Sequence, residues 1–443
     1  MRLPAPLLLL LGGVIVAAML TWMLPAGQFN RTDDALTGRR IVVAGTYHRT
    51  AGAPVGPFGA VVAVARGFVA AADVIAVVLF VGGAWIVVDR LGALEAVIGG
   101  LVRALGSRGL LTIPIVSLFF ATMGALENMQ EEIIPLVPAL LVLGRGVGVD
   151  PTTVVAMSAG AAMVGSAFGP TNPFQAGIAL KLAQLPPLVA GGLRGAAFVA
   201  AVALWVGWTL RHAAAGRPPG GRTSEGESLR HAKRTDYAVL AAALLPMAAY
   251  IYGVMRFDWG FNELAGVFFA GGLIAGLVGG LGLIGTLNVY VEGMQMLLPA
   301  GILIGVARAI SLVLEDGRVV DTILNSFASA LGRLPSVAAA FVMIPIHAVI
   351  HVLVPSVSGH AVLTMPVMVP LADLLHLPRL IAVLAYTTGG GLIGEILSPT
   401  NGALLAVLAA AGVPFQKWVR FAAGGVLLAT ALGMLMIASL LRS

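Results

Sequence analysis

No cysteine occurs in the 443 residues, which excludes disulfides, thiolate metal sites and cysteine nucleophiles and leaves the redox compartment open. Charge is nearly as scarce, since Asp, Glu, Lys and Arg make up 10% of the chain against 59% hydrophobic residues. A soluble domain carries about a quarter charged residues, so this chain cannot coat a globule with polar surface. The H-E-x-x-H pair of a zinc hydrolase is missing, and Ser358-Gly359-His360 lacks both a nucleophile elbow and an orienting acid. An enzyme is therefore not expected. Lys and Arg exceed Asp and Glu, 26 against 20, but they lie between apolar runs and form no aromatic-interleaved patch. That pattern excludes a nucleic-acid partner and fits cations collecting at membrane interfaces.

What the chain has in quantity is apolar length. Mean hydropathy is +0.98, and several runs reach the roughly 18–20 residues that span a hydrocarbon core. Gly (57) and Pro (25) are abundant, as in spans that pack closely and break. The run Leu7 to Leu24 is long enough to cross and is read as an uncleaved first span. A polar extracytoplasmic loop follows to about Gly59, then a crossing at Ala70–Val88 and an amphipathic interfacial stretch, Leu91 to Leu105. Two short arms around Leu126–Glu132 predict a re-entrant hairpin over 110–143, and 151–185 reads as a broken crossing followed by a span at 189–210.

Residues 211–236 hold Arg211, Arg217, Arg222, Arg230, Lys233 and Arg234 against Glu225, Glu227 and Asp236, and so mark a cytoplasmic linker. The second half, 237–443, offers crossings at 237–255, 264–284 and 294–314 and an amphipathic segment at 317–331. A hairpin over 335–375 with its tip at 355–360, a broken crossing over 378–413 and a last span at 415–440 follow. The expected fold is an all-α polytopic membrane protein with two inverted repeats, residues 1–210 and 237–443. Each repeat has a re-entrant hairpin and a discontinuous transmembrane helix.

The repeat carries the functional reading. Gly-Pro-Thr-Asn-Pro at 169–173 matches Ser-Pro-Thr-Asn-Gly at 398–402, and Asp150-Pro151 and Leu377-Pro378 open the two broken spans. One such break is commonly a helix kink, but paired breaks facing hairpin tips in inverted halves are the signature of a secondary transporter. A channel would need a continuous polar file instead. Pro170 and Pro399 cannot continue a helix and free carbonyls at membrane depth. Asn172 before Pro173 reads as the N-cap and first residue of the outgoing half-helix. Thr171, Asn172, Thr400 and Asn401, with Ser166 and Ser398 beside them, are candidate ligands for Na⁺ or for a substrate carboxylate.

The hairpin tips supply the other candidates. Glu127, Asn128, Glu131 and Glu132 stand at the first, Glu131 and Glu132 opening the returning arm, where a carboxylate is welcome and could carry a proton. Ser356, Ser358 and His360 stand at the second. Glu395 at the second break either belongs to the site or pairs with Arg308, read as the one Arg inside a span. His347 and His351, four residues apart on one face, lack further metal ligands and read as packing or hydrogen-bonding groups. Asp73, near the start of a span, reads as interfacial.

Thr21-Trp22-Met23-Leu24-Pro25-Ala26-Gly27, Glu131-Glu132-Ile133-Ile134-Pro135, and Asn172-Pro173-Phe174 followed by Gly177-Ile178-Ala179 resemble the YfcC-type branch of the C4-dicarboxylate anaerobic carrier (DcuC-like) family. The resemblance runs over nearly the whole chain. It implies the ion-transporter superfamily fold, a homodimer in a bacterial inner membrane, and elevator-like movement of the part that carries the site. No cofactor is implied beyond a coupling ion, Na⁺ or H⁺. The first tip departs from the Ser-Asn-Thr type that binds Na⁺ in that superfamily. Family substrates divide between C4-dicarboxylates and basic amino acids. The cluster Glu127, Glu131, Glu132 and Glu395 repels a dianion and welcomes an ammonium or guanidinium, which favours an amino acid with the dicarboxylate as the alternative.

Overall fold

The computed structural model describes residues 4–34, 39–93, 96, 106–170, 172, 174–216, 232–257, 259 and 261–442. Thr171, Pro173, most of the interfacial stretch 91–105 and linker residues 217–231 lie outside the described residues, as does the side chain of Glu127. Ten helices among the described residues are long and apolar enough to cross a membrane. Helices are the expected solution, because a span in lipid must satisfy its backbone internally.

Helix α1 (Pro4–Met23) leads into two antiparallel ribbons. One pairs β1 (Gly27–Gln28) with β4 (His48–Arg49), the other β2 (Arg31–Asp34) with β3 (Arg39–Val42). These ribbons are a small addition to the all-α bundle that was expected. This segment is polar, so it can expose strand edges that a lipid-facing segment cannot. Next come α2 (Pro57–Ala70), most of which lies between the expected loop and the expected crossing, and α3 (Ala72–Arg90). The first hairpin consists of α4 (Thr112–Glu127) and α5 (Val137–Val147), joined through a 3₁₀ turn at Glu131–Leu136. The first broken helix follows as α6 (Pro151–Phe168), carrying a π segment at Ala156–Gly160, and α7 (Ala176–Leu182); α8 (Gly191–Ala215) closes the half.

The second half contains α9 (Arg234–Phe257), α10 (Phe261–Val278), α11 (Gly282–Asp316) and α12 (Val320–Leu331). At 1.5 Å per residue the 35-residue α11 is about 50 Å long, well beyond the bilayer core. The predicted gap before Met294 is absent, because Glu292 sits on the helix surface, where it pairs with Arg90 of α3. The chain turns instead at Gly280 and Gly282, both at positive φ. The second hairpin is α13 (Ser336–Leu353) and α14 (Val357–Leu374). The second broken helix is α15 (residues 379–397, π-wound over Thr387–Gly394) and α16 (Gly402–Ala411), and α17 (Phe415–Leu440) closes the chain.

The halves share one packing device. In the first, Gly165 of α6 lies against α4, where a Cβ would stand 2.0 Å from the Ala121 carbonyl oxygen. In the second, Gly389 of α15 lies against α13, where a Cβ would stand 2.1 Å from that of Ile344. Small residues let each hairpin's first arm seat directly on a broken helix, the usual basis of helix contact in lipid.

Candidate substrate site between the hairpin tips

Both breaks fall where expected. Helix α6 stops at Phe168 and α15 at Leu397, each followed by extended backbone at Gly169 and Ser398. The carbonyls freed by π winding and by the breaks meet buried donors. Trp205 of α8 donates Nε1–H to the Ala156 carbonyl at 2.8 Å, and Trp418 of α17 donates to that of Ile396 at 2.8 Å. Arg194 of α8, almost fully buried, donates to the Pro170 carbonyl at 2.8 Å and to that of Pro187 at 2.9 Å. The Pro170 carbonyl at the break is therefore already held by a buried guanidinium. Arg194 is also a second Arg inside a span, so Arg308 is not the only one. It was legible as a charge within 189–210.

At the first break, Asn172 Oδ1 accepts from the amides of Phe174 (2.9 Å) and Gln175 (2.7 Å). The capping chemistry is as expected, and the described helix begins at Ala176; Pro173, read as its first residue, lies outside the described residues. Asn172 Nδ2 donates to the Gly124 carbonyl (2.9 Å) and to Ser166 Oγ (2.9 Å). Ser166 in turn bonds Asn128 Oδ1 and Gln175 Oε1. Asn128 ends α4 in the left-handed conformation that Asn tolerates, which turns the chain into the tip.

At the second break, Asn401 Oδ1 caps α16 by accepting from the Leu404 amide at 3.1 Å, and its Nδ2 donates to Glu395 Oε2 at 2.6 Å. Thr400 Oγ1 donates to the Val352 carbonyl at 2.7 Å and lies 2.8 Å from Ser398 Oγ. In each half, then, a polar side chain of the break bonds a carbonyl near the end of that half's first hairpin arm. Ser356 caps α14 by accepting from the Gly359 amide, so the second tip is only 354–356, and Ser358 and His360 lie within the helix.

A cavity of about 980 Å³ opens between these parts and a wall made of α3, α11 and the ribbon. Of the predicted residues, Asn128, Glu131, Glu132, Ser356, Ser358, Glu395, Thr400 and Asn401 line it. Ser166, Asn172, Ser398 and His360 do not; they are buried behind it as supports. Asp73 is not merely interfacial, since it lines the cavity close enough for its charge to act on Glu131. Gln130, Ser311 and the aromatic rings of Tyr250, Trp259 and Phe261 complete the lining and were not predicted.

The charge of this lining is one-sided. Asp73, Glu131, Glu132, Glu315, Asp321 and Glu395 face Arg31, Arg308 and Arg318. Arg31 is 2.9 Å from Asp321, and Arg308 is 3.6 Å from Glu315. The Arg308–Glu395 pair considered from the sequence does not form. Glu395 Oε1 instead stands 3.2 Å from His351 Nε2, although the N–H direction there is not that of a hydrogen bond.

Paired broken helices, hairpin tips and a polar cavity among multiple apolar spans define a multi-pass membrane transporter. The profile of the C4-dicarboxylate anaerobic carrier family, DcuC, matches residues 3–441, and the chain belongs to that family. It is 29% identical to the Escherichia coli (strain K12) protein named "Putative basic amino acid antiporter YfcC", over 98% of this chain and 94% of that one. It is 26% identical to an uncharacterized protein of Haemophilus influenzae, over 94% and 93%. Among solved structures, the Alcanivorax borkumensis YdaH transporter aligns over 98% of both chains at 15% identity, with a TM-score of 0.44. Neisseria gonorrhoeae MtrF, from a class of antimetabolite efflux pumps, aligns over 98% and 95% at 15% identity, with a TM-score of 0.45.

Proposed function

We propose that this transporter is a secondary active carrier of small carboxylate-bearing metabolites that takes basic amino acids by exchange or ion coupling. The observation that carries the reading is the excess of carboxylate over guanidinium around the cavity. A dianion would meet like charge there, whereas an ammonium or guanidinium offsets the cost of keeping carboxylates at membrane depth. The name of the Escherichia coli relative supports the same choice. The family's own description supports the alternative, a C4-dicarboxylate, for which Arg308 and Arg318 would be the partners.

In this reading the halves, 1–210 and 237–443, are inverted repeats joined by the linker at 211–236. The hairpins and broken helices move together, elevator fashion, along the wall of α3 and α11, in a homodimer of the cell inner membrane. Gly402 of α16 supports a sliding seam, because a Cβ there would come within 3.2 Å of Ile304 and Ala307 on α11. The test is counterflow in proteoliposomes with arginine, ornithine, neutral amino acids, succinate and fumarate, under separate Na⁺ and H⁺ gradients. Arginine or ornithine should exchange. Accumulation of succinate alone would replace the amino-acid reading with the dicarboxylate one.

A further inference from the structure

Behind Glu395 lies a line of three fully buried imidazoles. His351 on α13 stands 3.2 Å from Glu395 through Nε2, and its Nδ1 is 3.5 Å from Nδ1 of His360 on α14. His360 uses its other nitrogen, Nε2, to meet His347 Nδ1 at 3.0 Å. Every junction thus enters a ring at one nitrogen and leaves at the other. The far end, His347 Nε2, is buried without a partner. These nitrogens face one another in pairs and do not converge on a point, so the arrangement suits a proton and not a metal ion.

The fold makes room for the rings. A Cβ on Gly390 would stand 2.7 Å from His360 Cε1, one on Gly394 2.5 Å from His351 Cγ, and one on Gly389 2.9 Å from His347 Cβ. The π-wound Thr387–Gly394 segment is a glycine cradle for the imidazoles. Such π segments are rare and recur at functional sites. Tyr386 of α15 packs edge-on to His347 and His360, its hydroxyl donating to the Val357 carbonyl. Among the described residues, Glu131, Gln130 and Asn401 act on Glu395 at the cavity end, and Thr364 Oγ1 donates to the His360 carbonyl at 2.8 Å.

We propose that this line is the proton-coupling path of the transporter, with protons as the coupling ion and Glu395 as the group that binds proton and cationic substrate in turn. The proposal rests on the reading given under Proposed function. When substrate leaves, a proton entering at His347 Nε2 displaces one from His347 Nδ1 to His360 Nε2. A second transfer runs from His360 Nδ1 to His351 Nδ1, and a third, once the His351 ring turns its Nε2–H toward the carboxylate, from His351 Nε2 to Glu395 Oε1. Each transfer breaks one N–H bond and forms one new N–H or, at the last, O–H bond, so a single proton is moved. An incoming ammonium or guanidinium displaces that proton back along the same line.

The test uses the full chain in proteoliposomes with an internal pH dye. Arginine counterflow and arginine-driven proton movement are measured for the wild type, His347→Gln and His351→Gln. Proton movement should fall about a hundredfold in both variants, the range of a lost proton-transfer group, while counterflow stays within about twofold. Wild-type arginine exchange without proton movement, or unchanged proton movement in His347→Gln, would overturn the relay. If a variant fails to assemble, arginine is added to purified wild type in weakly buffered detergent, and the relay requires protons to be released. If the wild type exchanges succinate and not arginine, a proton movement that depends on His347 keeps the line and removes only the substrate reading.

Discussion

Asn401→Ala removes a helix cap and the donations made by Nδ2, three hydrogen bonds in all, and their sizes can be worked from the structure. Asn401 Oδ1 caps α16 through the Leu404 amide, and loss of such a cap costs about 1 kcal/mol. Asn401 Nδ2 holds Glu395 Oε2 at 2.6 Å and the Glu395 carbonyl at 3.0 Å, and leaving these buried acceptors without their donor costs about 1.5–3 kcal/mol. The sum, about 2.5–4 kcal/mol, should lower thermal stability in detergent and abolish transport without preventing membrane insertion. Asn401→Asp separates the two parts. A carboxylate still caps α16 but cannot donate to Glu395, and it adds a like charge beside it. This variant should keep more of the stability than the Ala variant, fail to transport at neutral pH, and recover partly on acidification, when the facing carboxyls can share a proton. Thermal unfolding and substrate counterflow between pH 5 and pH 8, roughly the window where such shared protons leave, decide the matter. Wild-type transport by both variants at neutral pH would refute the role of the second break.

Asn172→Ala strips the first break of a cap and of donors to Gly124 and Ser166, and should cut counterflow while leaving surface expression intact. Glu131→Gln should shift the pH profile of transport, because this cavity carboxylate acts on Glu395; an unshifted profile would remove it from the coupling. Asp150 lies just before α6. Partial burial opposes its ionisation, but bonds from Thr153 and from Lys417 outweigh that and hold its carboxyl down at about 2. A lowered folded-state pKa stabilises above the unfolded value and is lost as pH falls, here between about 4 and about 2. Acid-induced loss of folded protein should therefore begin at higher pH in Lys417→Met than in wild type, as detergent-phase melting curves would reveal.

The backbone plan was legible because hydropathy and proline act locally. Spans, both hairpins and both breaks follow from run length and from Pro170 and Pro399. The ribbon at 27–49 and helix α2 were not legible, since a short polar stretch takes its form from what it docks on. There, Asp321 of α12 accepts from the Phe29 amide and from Arg31, which holds the ribbon against the bundle. The site was half legible. Intramembrane carboxylates announce themselves by cost, and Glu131, Glu132 and Glu395 do line the cavity. Which partner each charge meets was not legible, because it depends on helix rotation. The alternative that paired Arg308 with Glu395 fails for that reason, and the carbonyl donors Trp205, Trp418 and Arg194 lie on closing helices that no local pattern links to the breaks.

Each half carries a hairpin and a broken helix, but the chemistry around the two breaks differs. At the first, Asn128, Ser166, Asn172 and Gln175 form a network of amides and a hydroxyl with no ionisable member, and Arg194 fixes the carbonyl of Pro170. Nothing in that network changes charge between pH 5 and 9, roughly the range in which side chains such as His titrate, so it can orient a substrate or hold a tip but cannot follow a proton. At the second, the space behind the break is filled by Glu395 and three imidazoles, and Gly390, against which His360 packs, stands where the first half has Ala161. Exchanging the chemistry of the halves tests the division. Ser166→His should add bulk without adding coupling, because no carboxylate line leads from it, whereas His351→Ser should remove proton dependence from a carrier that still exchanges substrate. Equal losses of exchange in the two variants, measured as counterflow at a single pH, would mean that the breaks share one role.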